Sequence, residues 1–257
     1  MRLDILLTQR GLAESREKAK HLILAGVVAV EGAVVQKPAA DVPEEAALTV
    51  SAKEKYVGRG GLKLEAALDR FGLDPAGLAA LDIGASTGGF TDCLLQRGAA
   101  HVTALDAGCG QLHPSLAADP RVTNIEKYNA RALNAADVGR FDLVVMDVSF
   151  ISATCILPRI PDVLRPEGRF LLLIKPQFEA GPAALDKHGV VKKPADRQKA
   201  IRRVLDAAAA ASLAVVGLMA SPVAGGDGNR EYPALFRLQP DADNSRVPVA
   251  DIVKEGA

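Results

Sequence analysis

Residues 81–92, LDIGASTGGFTD, constrain this 257-residue chain more than any other stretch. Apolar Leu78, Leu81 and Ile83 lead into a turn of small residues carrying Gly84, Gly88 and Gly89, and the spacing predicts a helix from Thr91 to Gln96. Strand, glycine loop, helix is the first crossover of a doubly wound α/β sheet, in which ligands lie across the carboxyl ends of strands. Glycine is needed there because a side chain would hold the ligand off the backbone. The spacing is not the dinucleotide pattern G-x-G-x-x-G, and the phosphate-loop pattern G-x-x-x-x-G-K does not occur in the chain.

A second apolar run, 101–105, ends at Asp106, seventeen residues past Gly89. An acid at the end of the second strand suits a bidentate grip on ribose hydroxyls. A glycine loop without the pyrophosphate pattern, followed by this acid, is what S-adenosylmethionine needs, since that ligand has a ribose and no phosphate. The expected cofactor contacts are Asp82, Gly84, Ala85, Ser86, Gly88, Gly89, Phe90 and Asp106.

Composition narrows the class. At 49% hydrophobic residues the chain has ample material for a packed core. Its 31 basic and 31 acidic residues balance, yet residues 159–203 hold eleven Lys and Arg against five Asp and Glu, so a basic face is concealed in a neutral total. Cys93, Cys109 and Cys155 are odd in number and form no C-x-x-C, which argues against a disulfide frame or zinc site and for a reducing cytoplasm. The four histidines are scattered, and no metal site is expected. The start lacks a secretory core, and the apolar run 170–174 is far below the roughly 20 residues of a spanning helix. No membrane association is expected.

In chain order, a helix begins at Leu3 and stops at Gly11; Ser15 caps a second, which Gly26 ends. Short strands follow at 27–30, 34–35 and 48–50. Arg16 and Lys20 share one helix face beside a β-hairpin, which suits a phosphate backbone and equally an ordinary solvated surface. The pattern Arg2-Leu-Asp4, Gly11, Ser15-Arg16, Ala19, Ile23, Gly26-x-Val28-x-Val30-x-Gly32 resembles the small RNA-binding domain named after ribosomal protein S-four, departing from it at Glu31. The resemblance implies RNA contacts at Arg2, Arg16 and Lys20. A glycine-rich run around Arg59 reads as a hinge or as a further RNA clamp, ahead of a helix over 64–71.

From residue 78 strands and helices alternate: strands at 78–84, 101–106, 121–125, 141–146, 169–174, 213–218 and 235–238, helices at 90–97, 111–118, 131–137, 153–164 and 195–211. The fold class is α/β, a seven-stranded doubly wound Rossmann-like sheet behind a small α+β domain. The expected divisions are 1–58, a linker 59–64, a catalytic domain 65–240 and a polar, mobile tail 241–257.

Asp147 and Lys175 each directly follow about five apolar residues, where a charge is costly unless paired or used. Lys63 before them and Glu231 after them complete a Lys-Asp-Lys-Glu set. The contexts RGGLK, VVMDVSF, LLLIKPQFE and GNREY, in that order, resemble the catalytic tetrad of FtsJ-like RNA ribose 2'-O-methyltransferases, and with the amino-terminal domain the chain is similar to the TlyA, or haemolysin-A, family. The family implies a cytidine 2'-hydroxyl in 16S or 23S ribosomal RNA, or both, as acceptor. In-line methyl transfer needs an oriented hydroxyl and a general base, and a lysine serves as base only if burial or another cation lowers its pKa. Lys175 is assigned as base, Asp147 and Glu231 as holders of the lysines, with Asp147 also near the cofactor's methyl. The competing expectation is a non-catalytic RNA-binding ribosome assembly factor; a membrane-lytic haemolysin lacks an amphipathic stretch.

Overall fold

The computed structural model describes residues 1–50, 55–225 and 228–255. Residues 51–54 at the end of the expected small domain, 226–227 in the loop before the last strand and 256–257 of the expected tail lie outside the described residues. The chain divides into two compact units, Met1–Lys55 and Tyr56–Ala257.

The first unit contains α1 (Leu3–Gln9), α2 (Arg16–Leu24), β1 (Val28–Val30), β2 (Ala33–Val34) and β3 (Leu48–Val50). Ser15 Oγ accepts from Lys18 N at 3.1 Å, satisfying one of the free donors at the start of α2. The strands form an antiparallel sheet in the order β2-β1-β3, and Leu3, Leu7, Ile23 and Val28 fill the core between helices and sheet.

The second unit runs α3 (Gly60–Phe71), β4 (Ala79–Ile83), α4 (Gly89–Gln96), β5 (His101–Leu105), α5 (Pro114–Ala117), β6 (Val122–Ile125), α6 (Ala135–Val138), β7 (Phe141–Met146), α7 (Ile160–Val163), β8 (Leu164–Ile174), α8 (Pro176–Glu179), α9 (Pro194–Ala210), β9 (Leu213–Leu218), β10 (Tyr232–Leu238) and α10 (Val249–Glu255). The sheet order is β6-β5-β4-β7-β8-β10-β9; β10 is antiparallel to both neighbours, and the other pairings are parallel. The chain builds outward through β5 and β6, then returns to lay β7 on the other side of β4. That reversal opens a crevice beyond the carboxyl ends of β4 and β7, where the fold class binds ligands.

Strand alternation decides what each face buries. Leu81, Ile83, Val144, Met146, Leu172 and Ile174 face α9, whereas Ala80, Leu143, Val145 and Leu171 face α3 and α4. Asp82 shares the parity of Ala80 and therefore points toward α4.

Several expected elements are altered. The helix expected over 153–164 is two 3-10 turns, Ala153–Cys155 and Leu157–Arg159, before the single turn of α7, because Pro158 and Pro161 bring no backbone donor. The helix expected over 111–118 shrinks to α5, and that over 131–137 to the 3-10 turn Ala130–Ala132 and α6. The last strand starts three residues earlier than expected, at Tyr232, because Pro233 still uses its carbonyl, accepting from Met219 N at 3.1 Å. Of the expected linker 59–64, Arg59 precedes α3 and residues 60–64 form its first turn.

The tail expected to be mobile is packed. Val249 and Val253 are buried, and Asn244 is 2% exposed, its Oδ1 accepting from Val215 N at 2.9 Å and its Nδ2 donating to Leu205 O at 2.9 Å and Leu213 O at 3.0 Å. Replacing Asn244 by Ala strands these buried backbone groups and is expected to destabilise the protein by about 2–4 kcal/mol in urea unfolding. An unchanged midpoint contradicts this clamp.

Candidate active site

The crevice is shaped first by what glycine omits. Gly84, at φ +85, ends β4 so closely beneath the chain after β7 that a Cβ there would lie 2.7 Å from the Asp147 carbonyl oxygen. The loop then folds over β5: Gly84 N and Ala85 N both donate to Leu105 O, and Ser86 N donates to Asp106 Oδ2 at 2.8 Å. The run around Arg59 presses on the same loop. A Cβ on Gly60 would sit 3.4 Å from the Phe90 ring and 3.8 Å from Asp147 Oδ2, and one on Gly61 would collide with Tyr56 at 2.3 Å. These glycines permit close packing where a hinge was one expectation.

The four charged residues singled out by sequence form two ion pairs. Lys63, on α3, meets Glu231, immediately before β10, at 2.5 Å, with side chains 10% and 3% exposed. Lys175, at the end of β8, meets Asp147, at the end of β7, at 2.6 Å. Each lysine is thus matched to its own carboxylate. Gly225 lets its loop lie over the first pair, since a Cβ there would approach Glu231 Oε1 to 2.7 Å.

Three residues not anticipated join the site. Ser149 Oγ accepts from Lys175 Nζ at 2.9 Å. Phe150 is 94% exposed at φ +63, an unfavourable backbone for an aromatic residue, and its ring lies 5.4 Å from that of Phe178. Glu179 is buried and accepts from Ser152 Oγ at 2.6 Å and Ala153 N at 2.7 Å, latching the loop after β7 onto α8; burial pushes its carboxyl up from the ordinary value. Ser149 and Phe150 follow Asp147 within VVMDVSF, so position after a strand end was the available signal. Nothing in the sequence marks the burial of Glu179.

Two cavities meet at Asp147. The larger, about 370 Å³, is lined by Gly84, Ser86, Asp106, Tyr128, Asp147 and Phe150 among others. The smaller, about 190 Å³, includes Arg59, Ala85, Gly89, Phe90, Asp147 and Lys175. The larger has two carboxylates and no Lys or Arg on its described walls, which disfavours a phosphate and suits a ribose-bearing cation. Asp106 already accepts from Ser86 N and from Gly108 N at 2.7 Å, so its two oxygens retain lone pairs for hydroxyls. S-adenosylmethionine fits these walls.

Asp82 and Gly88 do not line either cavity. Asp82 is fully buried behind the loop and accepts from Thr91 Oγ1 at 2.7 Å, its other oxygen meeting no partner among the described residues. Burial, helped by the nearby Asp147 charge, raises its pKa from 3.8 to about 7. In the first unit Arg2 and Arg16 converge on buried Asp4, at 2.9 and 3.2 Å, and Arg16 and Lys20 border one shallow depression. The Arg2 hydrogen bond leads in holding Asp4 down at about 2. Arg59 belongs to the second unit. Among the described residues no group of three or more His, Cys, Asp or Glu side chains is placed to hold a metal, and no helix is long and apolar enough to cross a membrane.

The crevice at the reversal point, with its glycine loop and a larger cavity that has no Lys or Arg among its described walls, is that of a ligand-binding α/β domain, and similarity to known proteins gives its class, a methyltransferase. The FtsJ-like methyltransferase family matches residues 56–237, and the S4 domain matches residues 1–48. The chain is 44% identical over 255 residues to the 16S/23S rRNA (cytidine-2'-O)-methyltransferase TlyA of Mycobacterium tuberculosis, covering 98% of this chain and 95% of that protein. It is 41% identical over 238 residues to Hemolysin A of Brachyspira hyodysenteriae, covering 92% and 99%. A solved structure from Streptococcus thermophilus that carries a provisional hemolysin name superposes with a TM-score of 0.80 at 38% identity, covering 100% of this chain and 95% of that one. The chain belongs to the FtsJ-like methyltransferase family, in the TlyA, or haemolysin-A, group that carries an S4 domain.

Two substitutions test the electrostatics. A carboxyl raised from 3.8 to about 7 on folding contributes stability that is full below the unfolded value and is lost as pH rises through the folded one. Asp82→Asn is therefore expected to flatten the fall of Tm between about pH 4 and 7, and parallel wild-type and variant curves contradict it. Asp4 has the opposite sign: its contribution is present above 3.8 and lost as pH falls through about 2. Asp4→Asn is expected to lower amide-exchange protection across α1 and α2 at neutral pH; equal protection refutes this.

Proposed function

We propose that this protein transfers a methyl group from S-adenosylmethionine to a ribose 2'-hydroxyl, of cytidine, in 16S or 23S ribosomal RNA or both, in the cytoplasm. The observation that carries the reading is the Asp147–Lys175 pair, 2.6 Å apart, lining the smaller cavity at the point where the two cavities meet. The named activity of the Mycobacterium tuberculosis relative supports the choice of acceptor. When bound, S-adenosylmethionine supplies an electrophilic methyl whose C–S electron pair stays with sulfur as the methyl leaves.

The chain's own residues do the rest. Asp106 and the loop Gly84–Ser86 hold the ribose-bearing end, with Gly89 and Phe90 bounding the acceptor side. Lys175, after giving up one proton to water, takes the 2'-hydroxyl proton, and Asp147 keeps its nitrogen in place. Lys63 and Glu231 fix α3 relative to β10 and so set the wall that carries Arg59 and Gly60. Arg59 is an exposed cation in the acceptor cavity and suits the phosphate next to the target ribose. Phe150 offers a free ring face on which the target base stacks. Arg2, Arg16 and Lys20 of the S4 domain supply further phosphate contacts, Arg2 and Arg16 being about half exposed despite their shared carboxylate.

A binding factor without catalysis would need none of this pairing. Lys175→Ala is expected to lower methyl incorporation from labelled S-adenosylmethionine into ribosomal RNA by about a hundredfold or more while leaving RNA affinity within about threefold. Transfer at the wild-type rate by the variant overturns the reading.

A further inference from the structure

Part of the cation surplus of residues 159–203 gathers in one short loop between α8 and α9. Residues 186–193 hold Lys187, Lys192 and Lys193 against Asp186, and residues 225–230 add Arg230 and Asp227. Lys187, Lys193 and Arg230 are exposed and meet no carboxylate among the described residues. Lys192 is exposed too and reaches Asp186 Oδ2 at 2.9 Å, a pairing that contributes little in water.

The loop is a fixed platform. Asp186 Oδ1 accepts from His188 N at 2.8 Å and Val190 N at 3.0 Å, while Asp186 N donates to Val190 O at 3.0 Å. Val191 is buried beneath. Asn229, also buried, joins this loop to its own: its Oδ1 accepts from Val191 N at 3.1 Å and its Nδ2 donates to Gly189 O at 3.0 Å. Asn229 O in turn accepts from Gly225 N at 2.9 Å, and Gly225 lies against Glu231. The cations thus stand on a frame that runs to the charged residues of the site.

Their position is electrostatically unfavourable without a partner. Lys193 occupies the cap position of the 17-residue α9 and makes no side-chain cap. The start of a helix carries partial positive charge, so a cation there is repelled and an anion is held. Asp196 is the acid of that first turn, and Lys192 and Lys193 outnumber it. An anion laid over the loop relieves both lysines at once. Several cations spread along one loop suit a polymer of phosphates better than a single anion.

We infer that the loop 186–193, together with Arg230, is a phosphate-backbone site for the acceptor RNA, held beside Glu231 by Asn229. The inference rests on the methyltransferase reading above, which supplies RNA as the polymer. Contacts of this kind fix affinity and register and take no part in the chemical step.

The test follows ribosomal RNA binding across a KCl series for wild type, Lys187→Gln/Lys193→Gln and Arg140→Gln/Arg237→Gln, with methyl transfer assayed alongside. Arg140 stands just before β7 and Arg237 pairs with Arg169, so the second variant removes the same charge at the end of the sheet away from Asp147. The lysine variant is expected to bind about tenfold more weakly at about 150 mM salt and to lower the slope of log affinity against log salt by about 1.5. Its KM for RNA rises and its kcat holds. The arginine variant is expected to stay within about twofold of wild type with an unchanged slope. Unchanged affinity and slope in the lysine variant, an equal loss in both variants, or a loss confined to kcat overturns the inference. Wild-type protein that methylates no ribose overturns the functional reading instead, while the salt series still decides the role of the loop.

Discussion

Lys63 and Glu231 stand 168 residues apart and meet at 2.5 Å with almost no solvent access. Neither charge is tolerable there alone: removing one partner of such a buried pair typically costs about 3–5 kcal/mol, because the other remains buried and uncompensated. The contact therefore fixes the first helix of the catalytic unit against one of its last strands. The start of that helix forms part of the wall of the smaller cavity. Its amino-terminal turn brings Gly60 beside Phe90 and Asp147 and Arg59 to the mouth of the smaller cavity. Asp147 in turn holds Lys175. The buried Lys63–Glu231 pair and the Asp147–Lys175 pair are thus linked through the start of α3.

Close approach of backbone is the other constraint. Gly84 lies under the Asp147 carbonyl, Gly60 and Gly61 lie against Phe90 and Tyr56, and a Cβ on Gly89 would stand 3.0 Å from Gly61 N. Three segments far apart in sequence, at 58–61, 84–89 and 147–149, meet so closely that Gly61, Gly84 and Gly89 leave no free space for a Cβ. The crevice that results is dry of positive charge on its cofactor side and holds its cations on the acceptor side. Under the proposed function the cavity without Lys or Arg among its described walls would take the cationic methyl donor, and the one holding Arg59 and Lys175 the anionic polymer.

Much of this was legible before the fold was in view. The runs 79–83, 101–105 and 141–146 are apolar and end abruptly in glycine or aspartate, so both the strands and their functional ends could be read, and Ser15 could be read as a cap from its place before a helical run. Less legible features depended on non-local contact. The glycines beside Arg59 look like a hinge because a sequence cannot show what lies 3 Å away. The segment 153–164 has helical apolar spacing, but Pro158 and Pro161 break it into turns. The tail after residue 240 is polar in composition, yet Asn244 finds three buried backbone partners and Val253 a place in the core. Which lysine meets which acid was likewise invisible, as was the withdrawal of Asp82 from the crevice to a buried position against Thr91.

The central claim is that this centre delivers a methyl group to a ribose oxygen. The direct measurement is mass spectrometry of nucleosides from ribosomal RNA incubated with the protein and S-adenosylmethionine bearing an isotopically labelled methyl. The account predicts the label on the sugar fragment of cytidine, with the base fragment unlabelled. Label on a base, or no label in ribosomal RNA from either subunit, would contradict it.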